Sequence, residues 1–229
     1  MSYGLSVTND SSYLQIDSDN PRLCALYKGT YSSGSNTSII TFPDAIKTAE
    51  PPCVFLQNSS SRNDDLYDQM YMTGSPGNWT GFVLRANNIN MRPMGKWFAA
   101  VFASLASSKY GLRLWNSAGG LLFDSGATPI IFTKANHNWI YQGVVQFPTI
   151  GAGYYYANAL VAPLASDEYF MMNPYSRGAV DTAGDFLPRG VRFNYSTRRL
   201  EMYIVTNDPA GPWADQGQPG AIFARLPGS

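Results

Sequence analysis

The sequence is poor in charged residues. Asp, Glu, Lys and Arg make up 14% of its 229 residues, against about 25% in an ordinary soluble protein. Sixteen basic and sixteen acidic side chains give a formal net charge of zero, so no diffuse field attracts nucleic acid. We therefore expect a neutral polar surface, part of it covered by other protein chains, and no nucleic-acid partner.

The common catalytic motifs are also missing. His137 is the only histidine, which excludes sites with two histidine ligands and makes a Ser-His-Asp triad depend on this one residue. No G-x-S-x-G motif, phosphate-binding glycine loop or dinucleotide fingerprint is present. Cys24 and Cys53 have no neighbouring Cys or His, so we expect reduced thiols. The sequence predicts no enzymatic activity, no metal site and no cofactor.

Long apolar runs and helical patterns are absent from the sequence as well. No run of about 18 apolar residues occurs, and the start shows no signal-peptide pattern. We expect synthesis in the cytosol and no membrane insertion. No segment of ten or more residues has a clean helical period with caps, which favours an all-β protein.

One string of residues occurs twice. Tyr3-Gly4-Leu5 through Leu14-x-Ile16-Asp17-Ser18 returns as Tyr110-Gly111-Leu112 through Leu121-x-Phe123-Asp124-Ser125. Alternating apolar residues on both sides of a polar turn predict a β-hairpin in each copy. Two weaker matches follow in the same order: Ile39-Ile40-Thr41-Phe42-Pro43 with Val144-Val145-Gln146-Phe147-Pro148, and Phe55-x-x-Asn58-x-x-Ser61-Arg62 with Phe170-x-x-Asn173-x-x-Ser176-Arg177. Their order indicates an internal duplication.

The predicted fold is all-β, with two tandem β-sandwich modules related by this duplication. Strand-like segments such as 96–102 and 198–206 are separated by Gly and Pro at the spacing of sandwiches or barrels. We place an N-terminal module at 1–108 and a C-terminal module with an irregular arm at 109–229. Residues 58–78 and 174–187 are predicted to form long loops.

Aromatic residues are the best candidates for contact with a ligand or partner, because exposed Tyr and Trp faces stack on sugar rings and on proteins. Packing inside the protein is the alternative for each of them. Alternation along the strand places Tyr154 and Tyr156 on one face and Tyr155 on the other. The six candidates are Tyr67, Tyr71, Trp79, Tyr154, Tyr156 and Trp213.

The acidic residues of the first predicted loop support a different hypothesis. Asp64, Asp65 and Asp68 could act as paired carboxylates in glycoside hydrolysis. Turn-forming and solvated carboxylates are the alternative, and it fits their Ser- and Asn-rich surroundings better. A polysaccharide-degrading enzyme is accordingly the last of the functions that we consider.

Two blocks of the sequence resemble a known family. The opening Y-G-L-x-V-x-N-x-x-x-x-L-Q-I-D-S and the segment from Lys96-Trp97-Phe98 through Tyr110 to Gly126 are similar to uncharacterised proteins encoded in the tail-gene clusters of long-tailed bacteriophages of Gram-negative hosts. The resemblance implies a virion component of the tail tip or baseplate. It carries over no functional residue and does not extend beyond Pro129.

We therefore expect a structural protein of a phage tail tip or baseplate that contributes to host-surface adsorption. Its expected partners are other tail proteins and further copies of itself in a homo-oligomer, with host surface glycan as another ligand. The alternative is a carbohydrate-binding module that contacts host glycans.

Overall fold

The computed structural model describes residues 6–8, 14–17, 22–62, 65–103, 110–116, 119–147, 151–176, 179–181, 186–187, 189–206, 213–214 and 219–229. This part of the chain contains β-strands and two short 3-10 turns, at Ser60–Arg62 and Asn173–Tyr175. It holds no α-helix and no helix that could cross a membrane.

The strands of the first half of the chain are β1 (Ser6–Thr8), β2 (Leu14–Asp17), β3 (Leu23–Ser32), β4 (Thr37–Ile46), β5 (Cys53–Asn58), β6 (Tyr67–Ser75), β7 (Asn78–Ala86) and β8 (Met94–Phe102). Those of the second half are β9 (Arg113–Trp115), β10 (Leu121–Asp124), β11 (Thr128–Pro129), β12 (Ile131–Asn136), β13 (Trp139–Phe147), β14 (Gly151–Asn158), β15 (Glu168–Met171), β16 (Ala179–Asp181), β17 (Phe186–Leu187), β18 (Arg189–Asn194), β19 (Arg199–Thr206), β20 (Trp213–Ala214) and β21 (Ala221–Arg225).

Two antiparallel sheets of seven strands form the body of the described structure. The first sheet has the order β11-β3-β8-β5-β15-β21-β12, and the second has the order β13-β14-β19-β18-β6-β7-β4. Their facing sides share one apolar core, as in a β-sandwich. The predicted all-β sandwich class is confirmed. The two predicted hairpins are confirmed as well, since β1 pairs with β2 and β9 with β10.

Both sheets contain strands from each side of the boundary predicted between residues 108 and 109. β5 pairs with β15 in the first sheet, and β6 pairs with β18 in the second. The ranges 1–108 and 109–229 thus contribute to one shared pair of sheets, an arrangement that differs from two sandwiches in series. The physical reason is that β5 is apolar and fully buried at Val54, Phe55 and Leu56, so it cannot serve as an exposed edge.

The strand order is the same on the two sides of this junction. Outward from the junction, β5-β8-β3 in the first sheet matches β15-β21-β12, and β6-β7-β4 in the second matches β18-β19-β14. Followed along the chain, the strands of each set belong to the two sheets in the same order. An internal duplication would produce this arrangement, and the duplication itself stays a prediction.

Aromatic side chains fill the space between the sheets. Phe82 of the second sheet meets the Trp97 ring of the first edge to face, with ring centroids 5.3 Å apart. A second apolar cluster lies on the outer side of the first sheet, where Phe55 stacks on Phe98 at 4.5 Å. The first sheet therefore buries apolar residues on both faces, which explains its continuous apolar runs in the sequence.

Two asparagines that correspond in the repeated strings join the halves of the chain. The Asn58 amide nitrogen donates to the carbonyl of Phe193 at 3.0 Å, and its amide oxygen accepts from the Phe193 N–H at 3.1 Å. Asn173 accepts from the Val54 N–H at 2.7 Å and donates to the Pro52 carbonyl at 3.1 Å. Each amide thus satisfies backbone groups of the other half that would otherwise be buried without partners.

The long loop predicted at 58–78 is wrong in extent, because β6 occupies Tyr67–Ser75 and β7 begins at Asn78. Its polar composition is compatible with a strand because Asp68 forms an ion pair with Arg85 of β7, at 3.2 Å. Tyr67 and Met70 meanwhile turn into the core. The other predicted loop, 174–187, lies partly outside the described residues and includes β16 and part of the turn at Asn173–Tyr175.

We predict that Asn58→Ala lowers the free energy of unfolding by about 2–4 kcal/mol, because it leaves the buried N–H and carbonyl of Phe193 without partners. Urea denaturation followed by tryptophan fluorescence measures this change. Asn90→Ala, at an exposed turn position, is the matched control and is expected to change stability by less than about 0.5 kcal/mol. Equal effects of the two substitutions would contradict the role of Asn58.

Candidate functional site

The six predicted contact residues have different environments in the structure. Tyr67 is fully buried, and its hydroxyl accepts a 3.0 Å hydrogen bond from Tyr31. The prediction that it lies on a contact surface is wrong, because strand alternation points its side chain into the core. Tyr71, on the same strand, is half exposed.

The two tryptophans among the candidates belong to different sheets. Trp79 is half-buried, packs against the core, and donates from its indole N–H to the Thr48 carbonyl at 3.0 Å. This bond holds the ring in place at the end of the sheet. Trp213 belongs to β20, which pairs with β16 through Asp181, and its side chain lies outside the described residues.

Tyr154 and Tyr156 share one face of β14, as predicted, and a third tyrosine joins them. The ring of Tyr141 on β13 lies 6.5 Å from the Tyr154 ring and 5.4 Å from the Tyr156 ring, between centroids. We call Tyr141, Tyr154 and Tyr156 the tyrosine shelf. Tyr156 packs against the core, whereas Tyr141 is 53% exposed. The shelf is therefore anchored on one side and open on the other.

Tyr155 points to the opposite face, also as predicted. Its ring stacks on Tyr203 at 4.8 Å, and its hydroxyl donates to Glu201 at 2.7 Å. Burial and this carboxylate raise the pKa of Tyr155. Arg192 donates to the same carboxylate at 3.0 Å, and Asn194 also donates to it, at 2.9 Å. Glu201 is fully buried, so this cluster is a satisfied structural network.

The edge next to the shelf is formed by β13. Its side chains Ile140, Tyr141, Val144 and Val145 are all at least 36% exposed. The strand contains no Asp, Glu, Lys or Arg. An exposed edge strand offers unpaired N–H and carbonyl groups to another strand.

A polar pocket of about 510 Å³ lies where the ends of β3, β5 and β8 meet. Its walls include Tyr31, Asn58, Ser59, Lys96 and Tyr195. This volume falls in the range of small-molecule sites, about 300–1,000 Å³. Burial raises the pKa of Tyr195 to about 12, so its hydroxyl is protonated and donates to the Asn58 carbonyl.

The described carboxylates among those considered for glycoside hydrolysis, Asp65 and Asp68, are buried in the structure. Asp68 is buried and paired with Arg85, and burial raises the pKa of its carboxyl despite that partner. Asp65 is buried near Tyr31 and Tyr67, whose pKa values it helps to raise. Asp64 lies outside the described residues. His137 is exposed in the turn between β12 and β13.

Sequence reasoning missed Tyr141 and the pocket residues. Tyr141 belongs to the shelf only because Tyr141 pairs with Tyr156 in the β13–β14 register, which residue types alone do not reveal. Tyr31, Lys96 and Tyr195 come from three separate segments of the chain. The polar run Asn58-Ser59-Ser60-Ser61 directly after an apolar strand was the available signal for the pocket.

Comparison of the chain with protein-family models, curated proteins and solved structures finds no match. In the described residues, no three His, Cys, Asp or Glu side chains lie together in a way that could hold a metal ion.

We predict that Tyr67→Ala lowers the free energy of unfolding by about 3–5 kcal/mol, as expected for a fully buried aromatic ring. Tyr71→Ala, on the same strand but half exposed, is expected to cost less than about 1 kcal/mol. Urea denaturation of both variants measures the difference. A small cost at Tyr67 would contradict its assignment to the core.

Proposed function

We propose that this chain is a structural, non-catalytic component of a bacteriophage tail tip or baseplate, which forms a homo-oligomer and contributes to adsorption to the host surface. The observation that supports this proposal best is the uncharged, apolar edge strand β13. Such an edge suits a protein whose surface is covered by other chains in an assembly.

The sequence around β13 strengthens the argument. No Asp, Glu, Lys or Arg occurs from Ala135 to Ser166, a segment that includes β13 and β14. Natural proteins protect free edges with charges, prolines, bulges or short strands. β13 spans nine residues without a proline, and its pairing with β14 has a bulge between Tyr141 and Gly143.

The other edges of the two sheets have such protection. β4 includes Pro43 and Asp44, both exposed, and its register with β7 is irregular between Thr41 and Ile46. β12 has a bulge and bears Lys134. β11 has two residues. β13 is thus the one among these four strands that contains neither a charged residue nor a proline.

A second copy of the same chain fits this edge best. The strand carries no charge, so two copies meet without repulsion and a charged partner would find no counter-charge. Ile140 and Tyr141 precede Gly143 at the centre of the strand, and Val144 and Val145 follow it. Two copies in antiparallel pairing about this centre place aromatic and β-branched residues opposite each other, a favourable cross-strand combination.

The placement in a phage tail is supported by the repeated Y-G-L strings and their resemblance to tail-cluster proteins. The low content of charged residues and the zero net charge agree with a protein that is part of a particle, because a freely diffusing neutral protein resists association poorly. The carboxylates Asp68, Glu168 and Glu201 form ion pairs with Arg85, Lys134 and Arg192, so these three carboxylates have structural partners within the chain.

We predict that the purified chain has at least twice the monomer mass of 25.1 kDa by light scattering. The double substitution Val144→Lys with Val145→Lys is expected to weaken association by about tenfold or more, because lysines on an edge strand oppose its pairing with another strand and both copies would carry them. Ile39→Lys, at a 75% exposed position on the protected edge β4, is the control and should leave the mass unchanged. Far-ultraviolet dichroism verifies that each variant is folded.

A monomeric parent chain, or a double variant with the parent's mass, would contradict assembly through β13. The tail location is tested separately by mass spectrometry of purified particles of the phage that encodes the chain. We expect peptides of this protein in the particles at a fixed stoichiometry. Their absence from particles that contain the other tail proteins would refute the location.

A further inference from the structure

We propose that the polar pocket beside Tyr31 and Lys96 binds an acidic sugar, a saccharide unit that bears a carboxylate. The inference deepens the proposed function, and it rests on that function only in taking a host surface glycan as the source of the sugar. The pocket is distinct from the β13 edge and from all six contact residues that the sequence predicts.

The walls of the pocket combine the two kinds of surface that a sugar needs. Met94 and Tyr195, both partly exposed, provide apolar faces for the C–H side of a sugar ring. Hydroxyl groups of Thr30, Ser32, Ser59 and Ser60 provide donors and acceptors for its hydroxyls. These groups come from both faces of the strand ends.

The charge of the pocket lining indicates which class of sugar would bind. Among the residues that the structure describes, Lys96 is the one charged side chain that lines the pocket, and no carboxylate lines it. Within the part of the chain that the structure describes, the exposed Lys96 ammonium has no hydrogen bond or ion pair. A carboxylate on the ligand would supply its counter-charge through a charge-assisted hydrogen bond.

Hydrogen bonds between the pocket-lining residues and the rest of the fold hold the walls of the pocket in place. The Gln57 amide donates to the carbonyls of Ala165 and Glu168, at 2.9 and 2.8 Å. Asn58 is fixed to the backbone of Phe193, and Tyr31 donates to Tyr67. A site whose groups are held before binding loses less entropy when the ligand arrives.

Gly95 forms the floor of the pocket. A Cβ at this position would lie 2.1 Å from the Gln57 carbonyl oxygen and 2.7 Å from the Tyr31 hydroxyl. Glycine therefore allows the tyrosine to lie directly against the backbone of β8.

The test is a titration of the full chain with methyl glucuronide, and with methyl glucoside as the neutral comparison, followed by nuclear magnetic resonance. We expect the glucuronide to bind at least about tenfold more tightly and to shift the resonances of Tyr31 and Tyr195. Lys96→Gln should remove this preference, because a hydrogen bond to a charged group is lost. Lys28→Gln, an exposed lysine of the same sheet outside the pocket, should retain it.

No binding of either glycoside up to about 50 mM, equal binding of both, or an unchanged preference in Lys96→Gln would overturn the inference. Because Lys96 is exposed, its replacement is not expected to affect folding, which the dichroism spectrum verifies. The measurement does not depend on assembly or on the virion. A chain found in particles that binds neither glycoside would refute the sugar site alone, and a chain that binds glucuronide but is missing from particles would refute the tail location alone.

Discussion

The pairing of β5 with β15, and of β6 with β18, is the constraint on which the rest of the structure depends. These strands lie near the middle of the two sheets and come from opposite halves of the chain. Their side chains are among the most deeply buried in the protein, with Phe55, Phe170 and Val191 at 0% exposure. Separating the halves would expose this apolar surface along with the backbone groups that Asn58 and Asn173 satisfy.

Joining the halves at the centre also determines where the free edges lie. Each sheet ends in strands that are far from the junction, and three of these four edge strands contain a proline or a charged residue. The fourth, β13, contains neither and exposes Ile140, Tyr141, Val144 and Val145. The proposed assembly surface is therefore a consequence of how the sandwich is built. The polar pocket forms beside the junction, where Asn58 and Tyr195 bring the two halves together.

Local sequence patterns predicted much of this fold. The pairing of strands that are distant in the chain could not be predicted from them. A continuous apolar run identified the strand at 96–102, and alternation identified the strand at 198–206 and placed Tyr154 and Tyr156 on one face. The Ser-, Asn- and Asp-rich composition of 58–78 led to a loop where β6 lies, because the ion pair of Asp68 with Arg85 is not visible in residue order. The repeated strings suggested two similar halves. That the halves share their sheets depends on contacts between positions such as Leu56 and Phe170, which no local pattern encodes.

The candidate site was less accessible to sequence reasoning than the fold. Two members of the tyrosine shelf were predicted, but Tyr141 was missed because it lies on a neighbouring strand. Tyr67 was placed on a contact surface because a polar loop was expected around it. Lys96 was not among the predicted candidates, because it is a lone lysine in an apolar strand. The fold places it in the lining of the pocket together with Tyr31 and Ser59.

The most direct test of the shared sandwich is differential scanning calorimetry of the full chain at two protein concentrations. One pair of sheets built from both halves predicts a single cooperative transition whose calorimetric and van't Hoff enthalpies agree when dissociation of the oligomer is included in the unfolding equilibrium. Two separable transitions, each with the enthalpy of about half the chain, would show that residues 1–108 and 109–229 unfold independently and would contradict this account.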